Sequence, residues 1–356
     1  MAPGRSMLAL ARTLDPGSFA AIMATGIVSV DASQHGMPWL AQALFALNLV
    51  MFASLCAISA LRFVRFRDAL IADFVDPGSA AGFLTFVAGT CVLAVQCLIV
   101  VHVPVAALVL GVVGAIAWVV LVYAFFATMI ARRVKHGLAR SIHGGWLVVI
   151  VATQSVAVLA FLLSADNSEL SSETQRVLLF SGLCLHLIGA ALYLLIITLV
   201  FYRMVFLPMR ARDFRPTYWI NMGALAISTL AGSLFILHVP SSGPLADLVP
   251  FVKGFTLFFW ATASWWIPLL LLLELWRHAW KRIPLRYEVD DWDIVFPIAM
   301  YTVGTFELAH ALQLDFLLAI PTVGVYVSLL VWAIVALAWL VRSSPRPDQS
   351  IAPSRR

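Results

Sequence analysis

Ten long apolar stretches constrain this chain more than any other feature of its sequence. A helix needs about 20 mostly apolar residues to cross about 30 Å of hydrocarbon, and only helices or closed barrels satisfy their backbone there. Continuous apolar runs, without the alternation of barrel strands, favour helices. The chain is therefore predicted to be an all-α integral membrane protein. The predicted spans are roughly 17–34, 38–61, 79–101, 104–129, 144–164, 176–202, 217–238, 250–276, 293–311 and 316–341.

Lys and Arg are distributed unevenly between the two sides that these spans define. Of the 23 such residues, 21 fall on one side, and only Arg176 and Lys253 fall on the other. Lys and Arg residues in and near short loops stay in the cytoplasm during insertion, so both termini are expected in the cytoplasm. The expected location of the protein is a bacterial inner membrane. The excess of basic residues, which gives a formal net charge of +5, is thus explained by the membrane topology. No nucleic-acid partner is expected.

The spans are predicted to form one domain of five helical hairpins. Residues 1–16 are assigned to a cytoplasmic N-terminal segment, 17–341 to the ten-helix domain, and 342–356 to a disordered cytoplasmic tail. The first and third spans have similar starts, Leu-Asp-Pro-Gly-Ser at 14–18 and Val-Asp-Pro-Gly-Ser at 75–79. Asp suits a helix N-cap and Pro the first helical turn. Later odd-numbered spans begin near His143, Pro216 and Asp291, so the hairpin recurs at a regular interval.

Odd-numbered spans carry most of the hydroxyl, amide and glycine residues, whereas even-numbered spans are mostly Leu, Val, Ala and Phe. Polar side chains in hydrocarbon are costly unless they face partners or water. The odd spans are therefore predicted to line a central pore, with the even spans outside. The alternative is that these residues allow close helix packing. The pore-lining candidates are Phe19, Thr25, Thr85, Gln154, Asn221, Pro297, Met300 and Gly304.

The ninth span contains a Phe-Pro pair, Phe296 and Pro297. Proline removes one backbone hydrogen bond and kinks a helix. Phe296, Met300, Gly304 and Glu307 share one stripe of this helix, about 16 Å long. If that stripe faces a pore, Phe296 blocks it by steric bulk and dewetting. The alternative is that the pair is a packing feature.

Histidines mark the outer ends of four odd spans, at His35, His102, His238 and His310. Such a ring of imidazoles gains positive charge as the external pH falls through about 6.5, which draws anions to the mouth. Chance placement at the interface is the alternative. The sequence has no P-loop, His-Glu-x-x-His or paired-cysteine motif, so no cofactor, no metal and no enzymatic activity are expected.

Three segments resemble the tellurite-resistance and C4-dicarboxylate transporter family: Phe19 to Ser29, Pro216 to Ile227, and Phe296-Pro-Ile. This family includes bacterial TehA, the slow anion channels of plant guard cells and the fungal malate and sulfite transporters. The resemblance extends over about residues 14–341. It implies a homotrimer in which each protomer has its own pore, lined by the odd helices and occluded by a phenylalanine of the ninth span. Phe296 matches that residue.

These features predict transmembrane transport of small inorganic anions or C4-dicarboxylates through a pore gated by Phe296. No Lys or Arg lies mid-span in an odd helix, which favours weak binding and passive flow. The first alternative is a proton-coupled carrier of malate-like diacids or sulfite that uses Glu307 and His310. The second is an intramembrane enzyme or redox protein, which only the dispersed histidines support.

Overall fold

The computed structural model describes residues 3–135, 137–165 and 170–343, and every regular element in these ranges is helical. The tail predicted to be disordered lies almost wholly outside the described residues. The helices are α1 Pro3–Arg12, α2 Ala20–Gln34, α3 Pro38–Arg65, α4 Arg67–Val75, α5 Thr85–Ile99, α6 Pro104–Ala131, α7 Leu138–Ser141, α8 Val148–Ala165, α9 Ser172–Phe206, α10 Ile220–His238, α11 Val249–Leu275, α12 Trp292–Leu312 and α13 Ala319–Ser343.

Nine helical stretches in the described ranges are long and apolar enough to cross a membrane. They correspond to the second through tenth predicted spans. The first predicted span, Pro16 through α2, is less apolar because it carries Gly, Ser and Thr together with Asp31 and Gln34. Its residues from Phe19 to Ala32 are all buried among other helices. A helix that neighbouring helices shield from lipid needs less apolar surface of its own.

Each odd-numbered span begins with a 3-10 turn that leads into the helix. These turns are Pro16–Phe19, Ala80–Leu84, Gly144–Leu147, Pro216–Trp219 and Val289–Asp291. In the first turn the Asp15 carboxylate accepts a hydrogen bond of 2.7 Å from the Gly17 amide, with Pro16 at the first position. In the third turn the His143 ring accepts one of 3.1 Å from the Gly145 amide. The five turns lie on one side of the bundle, which we call the basic face because Arg62, Arg140 and Arg277 also lie there.

The five odd-numbered spans form a closed inner ring. Helix α2 contacts α5, α5 contacts α8, α8 contacts α10, α10 contacts α12, and α12 returns to α2. The outer helices α3, α6, α9, α11 and α13 each pack against the preceding inner helix and also touch the next one. In the most apolar stretch of α5, α8, α10 and α12, 67% to 89% of residues are buried, against 11% to 39% in the outer helices. The predicted arrangement of inner odd and outer even helices is confirmed.

At least one side-chain hydrogen bond connects every outer helix to the inner helix that follows it around the ring. Three of these bonds run from a Trp indole to a Thr hydroxyl. The donor and acceptor residues are Asn48 and Gln96 (2.7 Å), Trp118 and Thr153 (2.9 Å), Tyr193 and the Asn221 carbonyl (3.3 Å), Trp260 and Thr305 (3.0 Å), and Trp332 and Thr25 (3.0 Å). The last of these bonds joins the final hairpin to the first, so a bond in the equivalent place occurs at every step around the ring.

A double-mutant cycle on Trp332→Phe and Thr25→Val tests this connection. Hydrogen bonds between membrane helices contribute about 0.6 kcal/mol on average and up to about 1.7 kcal/mol. We therefore expect a coupling free energy of that size when unfolding is measured by titration with a denaturing detergent. Trp39→Phe is the control, because Trp39 is 72% exposed on α3. A coupling energy of zero between Trp332 and Thr25 would contradict a stabilising role for the bond.

Candidate pore and gate

An enclosed cavity lies on the axis of the inner ring, with a volume of only about 20 Å³. That space suffices for about one water molecule. Every inner helix contributes to its wall. The lining residues are Ile27, Cys91, Val92, Val95, Ser155, Val158, Ile227, Leu230 and Met300. The single hydroxyl among them, on Ser155, donates to the Val151 carbonyl within its own helix at 2.8 Å. The axis is therefore apolar and closed at this level.

Phe296 and Met300 lie on the same side of α12, one helical turn apart. Met300 lines the axial cavity, and Phe296 has no exposed surface. The turn separates them by about 6 Å along the helix, with Phe296 nearer the basic face. The aromatic ring is thus buried between the axial cavity and the end at which the inner helices begin.

Pro297 and Gly304 lie at the contact between α12 and α10. A Cβ atom added at Gly223 would approach Pro297 Cγ to 2.7 Å, and one added at Gly304 would approach the Ala226 carbonyl oxygen to 2.9 Å. Both glycines therefore allow a close approach of the two helices. This contact fixes the backbone on either side of Met300, so the orientation of Phe296 depends on α10 as well as on its own helix.

The hydroxyl and amide side chains of the pore-lining candidates have partners in other parts of the bundle. Thr25 accepts from Trp332 of α13, and Gln154 donates to the His186 carbonyl of α9 at 3.1 Å and pairs with the His186 ring at 3.0 Å. The amide of Asn221 points to Met204 Sδ of α9 at 3.8 Å. For these three residues the contacts correspond to the packing alternative that the sequence left open.

Phe19 and Thr85 lie near the basic face. The ring of Phe19 packs edge-on against Phe52 and Phe86, with centroids 5.9 Å and 5.1 Å away. Thr85 donates to the Gly82 carbonyl at 2.6 Å and thereby closes the 3-10 turn before α5. Of the eight pore-lining candidates, Met300 is the one that borders the axial cavity.

A polar cluster joins α2 and α12 at the face opposite the basic one. Gln34 donates to the Glu307 carboxylate at 2.7 Å. His35 lies 3.2 Å from the carboxylate of Asp31, which is fully buried. Pairing with this carboxylate raises the pKa of His35 above its ordinary value of 6.5.

Two of the four outer histidines meet at a single aromatic ring. The Phe306 ring centroid lies 5.6 Å from that of His35 and 4.5 Å from that of His310. His102 is exposed in the connection between α5 and α6, and His238 ends α10. The sequence thus placed these residues at one face, but the gathering of Asp31, Gln34 and Glu307 with His35 became visible only in the structure.

The basic face holds carboxylates beside the start of α12 that sequence reasoning missed. Arg215, just before α10, forms an ion pair with Asp290, just before α12. Asp293 lies one turn further along and is only 6% exposed. The run Asp290, Asp291, Asp293 was a possible signal, but only the fold brings Arg215 to it.

Leu230→Thr tests whether the cavity is closed by dewetting. A hydroxyl at this cavity-lining position is expected to raise anion current roughly two- to tenfold. The reason is that one additional hydrogen bond to water is worth on the order of 1 kcal/mol. The measurement is bilayer current of reconstituted protein. Leu234→Thr, one turn away on the same helix and equally buried, should leave the current unchanged. Equal currents from both variants would speak against an apolar barrier at this site.

The chain is similar to one family of membrane proteins over nearly its whole length. Residues 13–340 match the sequence profile of the voltage-dependent anion channel (SLAC1) family. Uncharacterized membrane protein Rv1735c of Mycobacterium tuberculosis is 38% identical over 150 residues, which are 42% of this chain and 75% of that protein. Two Methanocaldococcus jannaschii proteins match more of the chain at lower identity.

Uncharacterized transporter MJ0576 is 24% identical over 308 residues, which cover 84% of this chain and 85% of the relative. Uncharacterized transporter MJ0762 is 23% identical over 297 residues, which cover 81% and 82%. The family profile covers nearly all of the ring of inner and outer helices described above. The chain is a multi-pass membrane protein that belongs to the voltage-dependent anion channel (SLAC1) family.

Proposed function

We propose that each chain conducts anions passively along the axis of its inner ring, and that Phe296 blocks this path at rest. The observation that carries the proposal is the axial cavity, to which all five inner helices contribute. Because the ring closes within one chain, a pore needs no residue of a second copy. The homotrimer that the family resemblance implies would then hold three independent pores.

Dewetting and steric block act together in the proposed gate. A cavity of about 20 Å³ with aliphatic walls gives a hydrated anion neither room nor hydrogen bonds. Phe296 adds a fully buried ring between that cavity and the basic face. Conduction therefore requires the side chain of Phe296 to move and the inner helices to separate enough to admit water.

The electrostatics favour passage over tight binding. No charged residue lines the axial cavity among the described residues, so an anion would meet no strong site there. All five inner helices begin at the basic face, and helix N-termini carry partial positive charge. These dipoles would attract anions to that entrance. The ion pair of Arg215 with Asp290 neutralises one of the positive charges beside α12.

The proposed cargo is small inorganic anions or C4-dicarboxylates, and the proposed setting is a bacterial inner membrane with the basic face in the cytoplasm. The asymmetry of Lys and Arg supports this orientation. Family membership favours transport over catalysis.

Replacing Phe296 with Ala tests the gate. We expect anion current to rise about tenfold or more, which corresponds to lowering the barrier by about 1.4 kcal/mol. The measurement is current under voltage alone, with chloride, nitrate, sulfite and malate compared in turn. Phe125→Ala is the matched control. Phe125 is also fully buried, but it lies on the outer helix α6 against Trp146, with ring centroids 5.0 Å apart. A Phe296→Ala current no larger than that of the control would remove the gate assignment.

The bond between Gln34 and Glu307 supports a second candidate, a proton-coupled carrier. A carboxyl group between α2 and α12 is placed to exchange a proton while the ring rearranges. Under this alternative, Glu307→Gln abolishes uptake of malate driven by a proton gradient. Under passive flow, the same variant leaves voltage-driven current intact in protein-loaded liposomes.

The pH dependence of flux tests the outer histidines. His35 pairs with Asp31 and contacts the ring of Phe306 on α12, which His310 contacts as well, and Glu307 is bonded to the neighbouring Gln34. Its raised pKa keeps His35 protonated to a higher pH than a free imidazole. We expect flux to be larger at low external pH and to fall as the pH rises through and somewhat above 6.5. His35→Gln with His310→Gln should flatten this profile, whereas His278→Gln at the basic face should not. A wild-type flux that is already flat over this range would end the idea.

A further inference from the structure

A large cavity opens on the basic face beside the inner ring, with a volume of about 780 Å³. It lies where α10 and α12 begin and where α11 and α13 end. Its polar wall holds the three arginines Arg212, Arg277 and Arg286. A π-helical turn, Trp276–Trp280, ends α11 here and carries Arg277 into the wall. Such turns are rare and occur frequently at functional sites.

The three arginines are not used by ion pairs of the protein itself. Among the described residues, none of them lies within 4.0 Å of a carboxylate oxygen. Arg212 and Arg286 are exposed, whereas Nε of Arg277 is buried and has no hydrogen-bond partner. A buried guanidinium N–H without a partner costs free energy, which an anionic ligand would recover.

Carboxylates of the same wall are already engaged. Glu274 accepts from the Trp219 indole at 3.0 Å and pairs with His278 at 3.3 Å. Asp291 accepts from the backbone amide of Glu288 at 3.0 Å, within the turn that starts α12. These two acidic residues therefore serve the local structure. Arg277 attracts Asp291 electrostatically, but none of the three arginines forms an ion pair within 4.0 Å with either residue, so their guanidinium groups can still bind a ligand.

A second cavity of about 420 Å³ adjoins the first and shares Arg212, Ile283 and Pro284 with it. It adds Arg210, Lys281 and Arg282. Six basic residues thus line the two cavities, against the three acidic residues Glu274, Glu288 and Asp291. The positive charge is concentrated where the polypeptide leaves the membrane.

One side of the larger cavity is apolar. Val331, Ile334, Val335 and Ala338 of the outer helix α13 form it, and Ile334, which is 58% exposed, lies at its lipid-facing edge. The exposed Trp280 lies at the same end of the bundle, where aromatic residues mark the level of lipid headgroups. A site with arginines at one end and a lipid-facing aliphatic wall at the other matches a molecule with a phosphate and an acyl chain.

We infer that this cavity binds the headgroup of an anionic phospholipid, with the phosphate on Arg212, Arg277 and Arg286 and an acyl chain along α13. Basic pockets between helices at the cytoplasmic side of a membrane recognise such headgroups. A soluble anion would use the arginines but not the aliphatic wall. The bound lipid would bridge the outer helices α11 and α13 to the starts of α10 and α12, the helix that carries Phe296.

Native mass spectrometry of the full chain tests this inference. The probes are phosphatidylglycerol and phosphatidylcholine with identical acyl chains, added in equal amounts. We expect the wild type to retain phosphatidylglycerol at least about tenfold better, because each of the three arginines near the headgroup contributes a several-fold preference. Arg212→Gln, Arg277→Gln and Arg286→Gln together should abolish this preference. The matched control, Arg65→Gln with Arg133→Gln and Arg140→Gln, removes the same charge from the same face and should retain it.

Three results would overturn the inference. The first is equal lipid preference in the triple variant and the wild type. The second is an equal loss in the control, which would mean diffuse attraction to the basic face. The third is displacement of the lipid by excess inorganic phosphate, which would identify a soluble-anion site.

Ile334→Trp provides a test without change of charge. It fills the aliphatic wall at a lipid-exposed position, and it should lower phosphatidylglycerol retention several-fold in a protein that keeps all its arginines. Undiminished retention would exclude the acyl-chain contact. If the triple variant fails to fold, the exposed Arg286→Gln and Ile334→Trp together decide the outcome.

Discussion

A polar side chain inside a bilayer has no water to bond, and this constraint organises the whole molecule. The inner helices carry many polar groups. Some, such as Ser228 and Thr229, bond carbonyls of their own helix, and the outer helices supply partners for others. Trp118, Trp260 and Trp332 each present an indole N–H to a threonine of the following inner helix. A bond of the same kind closes the ring, because Trp332 of α13 donates to Thr25 of α2, 307 positions away in the sequence. The hydrogen bonds thus specify which helices are neighbours.

Turning polar groups toward the outer ring leaves the axis to aliphatic side chains. That arrangement explains how an apolar axial cavity can form between helices that are rich in Ser, Thr and Gly. In the proposed gate, the barrier depends on few groups: Met300, its apolar neighbours in the axial cavity, and the buried ring of Phe296. Charged residues gather at the two ends instead. The proposed conduction path thus follows the axis, whereas the proposed lipid site lies at its margin.

Much of this architecture could be predicted from sequence. Hydropathy and the alternation of polar and apolar spans gave the inner and outer helices, and the Asp-Pro starts at 14–18 and 75–79 gave the first turns of two inner helices. The rotation of each helix could not be predicted, because it depends on partners far away in the chain. The sequence predicts that Gln154 lines a pore, but in the structure its amide pairs with the His186 ring of α9. Likewise, the sequence around Gly223 does not indicate that Pro297 occupies the space that a side chain at position 223 would fill.

In the proposed function, anions pass along the axis of the inner ring, and covalent block of that axis is the sharpest test of this path. The protein would carry Phe296→Ala to open the gate, Ala at Cys56, Cys91, Cys97 and Cys184, and Val158→Cys in the axial cavity. Bilayer anion current would be recorded before and after a negatively charged methanethiosulfonate reagent is added. If anions pass along the axis, most of the current is lost as the reagent fills the cavity. A current that persists after complete modification of the cysteine would show that anions take another route.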